Sequence, residues 1–270
     1  MSANRDMSAD ITAENWPGIV RRVHAAMAGH VRPYLASISK TNDNKSGKAH
    51  GSGIYLAMKK GPSLGTCEHV VREGYEDGYR IAHLPKAGAN YYAFNKEWFA
   101  DQSVDLALTI IDPAIRADGD RLALPLDRVA ATHDIAPHEL LMLCGYPGKA
   151  SYFTTFTDEP QLLSPLIPYT ARETALPAGY DPALHFALQY EMNLAEAADD
   201  SKKTLPTARG FSGAPIWDTG FVAGGCSEDW TPASSRVVGI ATEWVENKSC
   251  IIGIKAEILT AFLNDLDTSA

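Results

Sequence analysis

The chain has 270 residues, 45% hydrophobic and 21% charged, which is typical of a soluble globular enzyme and not of a disordered chain. Its net charge of −9 argues against a nucleic-acid-binding protein, which needs clustered lysine and arginine side chains. No apolar run approaches the length of a membrane-spanning helix, and the polar start of the sequence lacks the apolar core of a signal peptide. We therefore expect a cytoplasmic protein that binds neither nucleic acid nor a membrane.

The first predicted element is a helix within an N-terminal extension, residues 1–33. Pro17 suits the first helical turn and Pro33 ends the pattern. The apolar residues at helical spacing are Ile19, Val20, Val23, Ala26 and Met27. We expect this helix to pack against the first β-barrel that follows it.

From Tyr34 onward, short apolar runs alternate with Gly, Pro, Asn and Asp residues, which predicts an all-β sandwich or barrel. A polar, irregular stretch at Asp127–Pro137 separates two strand-rich halves, so we predict β domains at residues 34–130 and 131–270. Apolar residues at helical spacing within Lys255–Leu266 predict a C-terminal helix. The predicted strands are Ile54–Met58, Tyr79–Leu84, Tyr91–Phe94, Val104–Ile111, Glu139–Cys144, His185–Glu191, Val237–Thr242 and Cys250–Ile254.

Three segments carry residues suited to nucleophilic catalysis. His69 follows an apolar strand, Asp105 lies within another, and Ser212 stands between Gly210 and Gly213. A serine hydroxyl needs a neighbouring base, which an imidazole can supply near neutral pH. The first glycine allows the backbone to turn its N–H groups inward, and the second allows a substrate carbonyl to approach without meeting a side chain. His69, Asp105 and Ser212 are therefore a candidate catalytic triad.

In this order, the three segments resemble the trypsin-like, chymotrypsin-fold serine peptidases, especially the bacterial stand-alone and HtrA-type members. The resemblance covers residues 34–266 and implies two six-stranded antiparallel β-barrels with the active site in the cleft between them. We expect a protease domain without a PDZ domain. The matching segments are Thr66-Cys67-Glu68-His69-Val70, Asp105-Leu106-Ala107-Leu108 and Gly210-Phe211-Ser212-Gly213-Ala214-Pro215, with lesser matches at Gly51-Ser52-Gly53-Ile54 and Leu143-Cys144-Gly145-Tyr146-Pro147.

The resemblance implies a serine endopeptidase that cleaves a protein or peptide substrate through an acyl-enzyme on Ser212. His69 is expected to act as base and then acid, while Asp105 holds the imidazole tautomer. The N–H groups of Gly210 and Ser212 are expected to form the oxyanion hole. The order histidine, aspartate, serine excludes the α/β-hydrolase elbow, in which the serine comes first.

Phe211 departs from the pattern of secreted relatives, which carry an aspartate there that pairs with a newly cleaved N-terminus. A phenylalanine cannot form this ion pair, so we expect activity without N-terminal processing. The resemblance also places Pro206 at the floor of the pocket for the side chain preceding the scissile bond, and Thr242, Glu243 and Trp244 along its wall. Because Pro206 is not acidic and Trp244 narrows the pocket, a small or medium apolar side chain is expected.

A second class of function stays open at this point. Phe211 and the long polar insertion Asn193–Thr204 are also compatible with a protease-like binding or sensor protein. Its oxyanion loop would be collapsed until a regulatory protein partner or a substrate binds. The three candidate residues also fit separate structural roles, as a turn serine, a helix-start histidine and a strand-edge acid.

The four cysteines are scattered, which favours reduced, buried thiols. A bridge between Cys226 and Cys250 remains an alternative if adjacent strands bring them together. Cys67 and His69 lack the paired spacing of zinc ligands, so we expect neither a metal ion nor another cofactor.

Overall fold

The computed structural model describes residues 15–41, 47–84, 92–94, 97–113, 121–148, 152–154, 161–163, 166–192 and 204–268. Two curled antiparallel β-sheets form the body of the fold. Helix α1 (Trp16–Val31) precedes them, α2 (Glu68–Glu76) lies within the first half, and α3 (Ala256–Thr268) follows the last strand.

The first sheet contains eight strands from the described part of residues 35–125. They are β1 (Leu35–Thr41), β2 (Gly47–Met58), β3 (Gly61–Thr66), β4 (Arg80–Leu84), β5 (Tyr92–Ala93), β6 (Phe99–Asp101), β7 (Leu106–Ile110) and β8 (Leu124–Pro125). The antiparallel order is β5-β4-β1-β2-β3-β7-β6, and β8 pairs with β2 in parallel. Helix α2 connects β3 to β4.

The second sheet contains seven strands from the described part of residues 141–255, and two further strands, β10 and β11, pair separately. The elements are β9 (Leu141–Gly145), β10 (Tyr152–Thr154), β11 (Gln161–Leu163), β12 (Ile167–Ala171), β13 (Glu173–Thr174), β14 (His185–Gln189), β15 (Pro215–Asp218), β16 (Arg236–Val245) and β17 (Cys250–Lys255). The order in the sheet is β12-β9-β15-β16-β17-β14-β13.

This architecture confirms the predicted all-β fold of the chymotrypsin type. Without the two-residue strands β5, β8 and β13, each sheet has six strands in the described chain, as expected. The predicted strand at Val104–Ile111 is too long, because Val104 and Asp105 lie in the turn before β7. Tyr91, predicted to begin a strand, lies outside the described residues. The proposed division of the chain falls between the end of β8 and the start of β9.

Helix α3 packs across both sheets. Leu259 and Leu263 are buried in the core that also contains Leu106 and Leu108 of β7 and Ile240 of β16. The apolar stripe predicted near the C-terminus thus faces the junction of the two halves. None of the helices in the described part of the chain combines the length and apolar character needed to cross a membrane.

Helix α1 contacts β9 and β12 of the second sheet, so the prediction that it packs against the first barrel is wrong. Val23, Met27 and Val31 are fully buried, and His24 Nδ1 lies 2.9 Å from the hydroxyl of Thr170 on β12. Helical spacing identifies which face of a helix is apolar, but not which sheet offers it a complementary surface.

The cysteines are all free thiols, and Cys67, Cys144 and Cys250 are buried. Cys226 and Cys250 do not form a bridge in the structure. This agrees with the expectation of reduced thiols.

Removal of α1 should lower the free energy of unfolding. A chain beginning at Tyr34 lacks the three buried apolar side chains of α1, each of which contributes about 1.5–3 kcal/mol. We therefore expect urea unfolding to report a loss of about 5 kcal/mol relative to a chain beginning at Asn15. Equal unfolding free energies for the two chains would show that α1 does not stabilise the fold.

Candidate active site

His69, Asp105 and Ser212 line one cleft of about 520 Å³. His69 is the second residue of α2, and Asp105 immediately precedes β7, so both come from the half containing the first sheet. Ser212 precedes β15 of the second sheet. The structure therefore brings together the three residues that the sequence motifs single out, in a cleft whose walls come from both halves.

His69 and Asp105 form a close pair. His69 Nδ1 lies 2.8 Å from Oδ2 and 3.0 Å from Oδ1 of Asp105. The backbone N–H of His69 also donates to Asp105 Oδ1, at 2.9 Å. A proton on Nδ1 satisfies the carboxylate and leaves Nε2 as the basic nitrogen. The pair thus fixes both the orientation of the ring and the nitrogen that can accept a proton.

Asp105 has a left-handed backbone conformation, with a φ of 52°. This region is uncommon for residues with a side chain, although aspartate tolerates it better than most. The Asp105 carbonyl accepts the N–H of Glu68 at 3.2 Å, while its carboxylate contacts His69. The start of α2 is therefore held by both the backbone and the side chain of Asp105.

Two opposing effects act on the pKa of His69. Burial lowers it, but the hydrogen bond and charge of Asp105, together with the charge of Glu73, outweigh burial and raise the pKa above its ordinary value of 6.5. Glu73 lies one helical turn after His69 on α2 and lines the same cleft. Because a base must be unprotonated, His69 loses its capacity to accept a proton as the pH falls through this raised pKa.

The Ser212 hydroxyl donates a hydrogen bond to the carbonyl of Thr242 at 2.8 Å. Within the described residues, it makes no hydrogen bond to His69. Ser212 Oγ is therefore held on β16 in the resting structure, and a rotation about its side chain is needed before it can pass a proton to His69.

The backbone around Ser212 exposes two N–H groups. The carbonyl of Arg209 accepts the N–H of Gly148 at 2.8 Å, and the carbonyl of Phe211 is likewise bonded within the loop, at 2.7 Å. Because the C=O and N–H of a trans peptide unit point in opposite directions, the next N–H groups, of Gly210 and Ser212, point away from these partners. Neither has an acceptor in the described part of the chain. We call these two N–H groups the donor pair.

The glycines of the loop are required by close contacts. Gly210 has a φ of 101°, and a Cβ there would lie 2.7 Å from the Gly148 nitrogen and the Tyr146 oxygen. A Cβ on Gly213 would lie 2.1 Å from the carbonyl oxygen of Ser52. The expectation that Gly213 makes room for a substrate carbonyl is therefore wrong, because its open side is filled by the first sheet.

Phe211 is only 1% exposed and lies in the core of the second half. Its ring meets the ring of Tyr190 edge to face, with 5.9 Å between centroids. Aromatic burial of this kind stabilises a fixed loop position without any charged partner. The side chain between the two members of the donor pair is thus anchored by packing.

The structure places Thr242, Glu243 and Trp244 in the cleft, but not Pro206. The Pro206 carbonyl instead accepts a hydrogen bond from the Tyr190 hydroxyl at 2.8 Å. The sequence prediction placed Pro206 only by its distance along the chain from the serine. The bond to Tyr190 depends on tertiary packing, so it could not be predicted in this way.

Cys67, His69 and Asp105 bring possible metal-ligand atoms within 4.8 Å of one another. The Cys67 thiol donates to the carbonyl of Ala241 at 3.3 Å. Burial, reinforced by the charge of Asp105, raises the pKa of this thiol well above its ordinary value. In the structure the Cys67 thiol is thus bonded to Ala241, while the Asp105 carboxylate is bonded to His69.

Several residues that line the cleft or support the loop beside it were not identified from the sequence. Glu73 and Tyr180 line the cleft, and the Tyr180 hydroxyl donates to Glu243 Oε2 at 2.7 Å. Gly148 and Ser52 bond to the loop that carries the serine. Of these residues, only Ser52 lies in a segment that the sequence motifs single out, the short Gly-Ser-Gly segment in β2. The others act through contacts between segments far apart in the chain.

Comparisons with known proteins give no family assignment: no family model and no curated protein matches the chain. Among solved structures, the chain is similar to a Glu endopeptidase in complex with MPD, at 13% identity over 86% of this chain and 91% of that chain, with a TM-score of 0.46. It is also similar to a structure from work on the intrinsically disordered Sesbania mosaic virus VPg protein, at 14% identity over 86% and 90% of the two chains, with a TM-score of 0.47. Both TM-scores are below 0.5, so the functional interpretation rests on the geometry of the cleft.

Replacing Glu73 by Gln should lower the pKa of His69, because one negative charge that favours the protonated imidazole is removed. Asp105→Asn should lower it further, since the charge and the strongest hydrogen-bond acceptor are both lost. NMR titration of the His69 ring measures this without a substrate. Glu76→Gln, on the same helix, is the matched control and should leave the pKa in place. A His69 pKa that is unchanged in Glu73→Gln would contradict this account.

Proposed function

We propose that the chain is a serine endopeptidase that hydrolyses peptide bonds through an acyl-enzyme on Ser212. The observation that carries this proposal is that Ser212 lines the same cleft as the His69–Asp105 pair and that the donor pair, on Ser212 and on Gly210 two residues before it, has no acceptor within the described residues. A turn serine requires none of these neighbours. Acyl transfer requires a nucleophile, an oriented base and donors for the developing oxyanion.

In the proposed reaction, Ser212 Oγ leaves the Thr242 carbonyl and passes its proton to His69 Nε2 as it bonds to the carbonyl carbon of the substrate. The carbonyl oxygen becomes an oxyanion that accepts hydrogen bonds from the donor pair. Protonated His69 then donates its proton to the leaving amine as the C–N bond breaks. A water molecule repeats the sequence on the ester, which releases the carboxylic acid and restores Ser212. Asp105 orients the imidazole and stabilises its protonated form throughout.

A protease-like sensor protein with a collapsed oxyanion loop is not favoured. In a collapsed loop the Arg209–Gly210 peptide unit would be reversed. The Arg209 carbonyl would then point in the direction in which the Gly210 N–H points here. In the structure, the Arg209 carbonyl instead accepts the N–H of Gly148. The insertion Asn193–Thr204, which suggested the alternative, lies outside the described residues except for Thr204.

The finer features of the proposal come from the sequence. We propose an HtrA-like protease domain that acts in the cytoplasm on a protein or peptide and binds neither nucleic acid nor a membrane. A regulatory protein partner also remains a proposal. The net charge of −9 and the free cysteines are compatible with these features.

Labelling with a fluorophosphonate probe tests the proposal. The full chain should react, and Ser212→Ala and His69→Ala should lower the labelling rate by about 10³-fold or more, because the nucleophile or its base is lost. Ser103→Ala is a matched control, since Ser103 lines the same cleft without a proposed role. Absence of labelling in a folded wild-type protein would overturn the proposed function.

The same labelling tests whether the reactivity of Ser212 is independent of N-terminal processing. A chain beginning at Asn15 keeps α1 and the packing of Phe211, so it should react at the rate of the full chain. A large gain in rate on trimming would mean that a new N-terminus orders the loop.

We further propose that the residue preceding the scissile bond has a small or medium apolar side chain. Trp244 lines the cleft and is paired with Ile251 across β16 and β17, so the two side chains share one face of the sheet. Ile251 is 1% exposed and belongs to the same buried cluster as Phe211 and Ala208. Packed apolar side chains therefore occupy the space behind the cleft next to Ser212. The floor position predicted for Pro206 stays a prediction.

Trp244→Ala should widen the accepted range of side chains. We expect kcat/KM for a peptide with Phe or Leu before the scissile bond to rise about tenfold relative to the matching Ala peptide, since hydrophobic pockets discriminate by size on this scale. Trp16→Ala, which truncates a tryptophan on α1, is the control and should leave the ratio unchanged. A wild-type enzyme that prefers Arg, Lys or Phe at this position would contradict the proposal.

A further inference from the structure

Ser52 joins the first sheet to the loop that carries Ser212. It lies in β2, yet its N–H donates to the Ser212 carbonyl at 2.8 Å, and its hydroxyl donates to the Gly210 carbonyl at 2.7 Å. The same hydroxyl accepts the N–H of Tyr146 at 2.9 Å, and the Ser52 carbonyl accepts the hydroxyl of Thr66 at 2.8 Å. Ser52 is 1% exposed, so these bonds form in the protein interior.

The peptide unit between Gly210 and Phe211 separates the two units that supply the donor pair. Its carbonyl is bonded to the Ser52 hydroxyl, and its N–H donates to the carbonyl of Ala208 at 3.0 Å. This central unit is therefore bonded at both ends, and it cannot rotate without losing both bonds. Because neighbouring peptide units share the φ and ψ angles between them, its orientation limits the orientation of the donor pair.

We propose that Ser52 is a positioning residue for the oxyanion hole. Its hydroxyl holds the donor pair in place before a substrate binds. The inference rests on the proposed peptidase function and extends it to a residue of the first sheet. Ser52 is buried and does not line the cleft, so it acts through Gly210 and not on the substrate. Phe211 cannot form the ion pair that an acid at this position would form. The hydrogen bond from the Ser52 hydroxyl to the Gly210 carbonyl supplies a polar attachment of the loop instead.

The surroundings of Ser52 explain why its side chain is small. A Cβ on Gly145 would lie 2.8 Å from Ser52 Oγ, so there is little room for a larger group beside the hydroxyl. Ser52→Ala fits this space but leaves the partly buried Gly210 carbonyl without its donor. Losing this bond is unfavourable and removes one of the two bonds that hold the central peptide unit, so the loop can reorient.

The test compares steady-state hydrolysis of tri-alanine p-nitroanilide by the wild type and by Ser52→Ala. We expect kcat to fall by about 10- to 100-fold with KM nearly unchanged, because the donor pair acts on the oxyanion and not on the bound substrate. Tri-alanine aldehyde, whose adduct with Ser212 places an oxygen at the donor pair, should lose affinity by a similar factor.

Ser63→Ala is the matched control. Ser63 is a fully buried serine of β3 in the same sheet, and its hydroxyl donates to the carbonyl of Gly61 at 3.1 Å, away from the loop. This variant should keep the wild-type kcat even if it loses stability. A wild-type kcat in Ser52→Ala, or equal losses in Ser52→Ala and Ser63→Ala, would overturn the inference while leaving the proposed function intact. An inactive wild type would overturn the proposed function and this inference with it.

Discussion

The candidate site depends on one constraint, that the C=O and N–H of a trans peptide unit point in opposite directions. Three successive carbonyls of the serine loop accept hydrogen bonds from other residues of the protein. The N–H groups of the donor pair therefore point away from the groups that bind these carbonyls. The three carbonyls belong to Arg209, Gly210 and Phe211, and their donors are Gly148, Ser52 and Ala214. Donors held in this way need no reorganisation when charge develops on a substrate oxygen, which is the main advantage of an enzyme site over water.

These bonds come from both halves of the molecule, so the site is a product of how the two sheets meet. Ser52 reaches the loop from β2 of the first sheet, while Gly148 follows β9 of the second. Gly213 allows this contact, since any side chain there would collide with the first sheet. A change at the junction of the sheets should therefore affect the chemistry of Ser212 without touching the cleft.

The resting position of the Ser212 hydroxyl adds a step to the proposed reaction. Its hydrogen bond to Thr242 must be exchanged for one to His69 Nε2, and a single side-chain rotation is a small change compared with rebuilding a loop. The loop and the His69–Asp105 pair are in place beforehand. In the proposed reaction the site is therefore preformed, apart from this one rotation.

The sequence predicts which residues meet in the candidate site better than it predicts the contacts that hold them there. His69, Asp105 and Ser212 could be found because each occurs in a recognisable local context, and the all-β fold follows from regularly spaced turn residues. The packing partner of α1 could not be predicted, because an apolar stripe does not specify the surface it meets. The left-handed turn at Asp105 and the contact of Gly213 with Ser52 also depend on segments that are distant in sequence.

The most direct measurement is a crystal structure of the protein with a tri-alanine boronic acid. The account predicts a covalent bond from Ser212 Oγ to boron and a boronate oxygen about 2.7–3.1 Å from both nitrogens of the donor pair. The Arg209 carbonyl should remain on Gly148, and Ser212 Oγ should no longer lie on the Thr242 carbonyl. A structure in which the Arg209–Gly210 peptide unit is reversed, or in which the boronic acid does not react with Ser212, would contradict it.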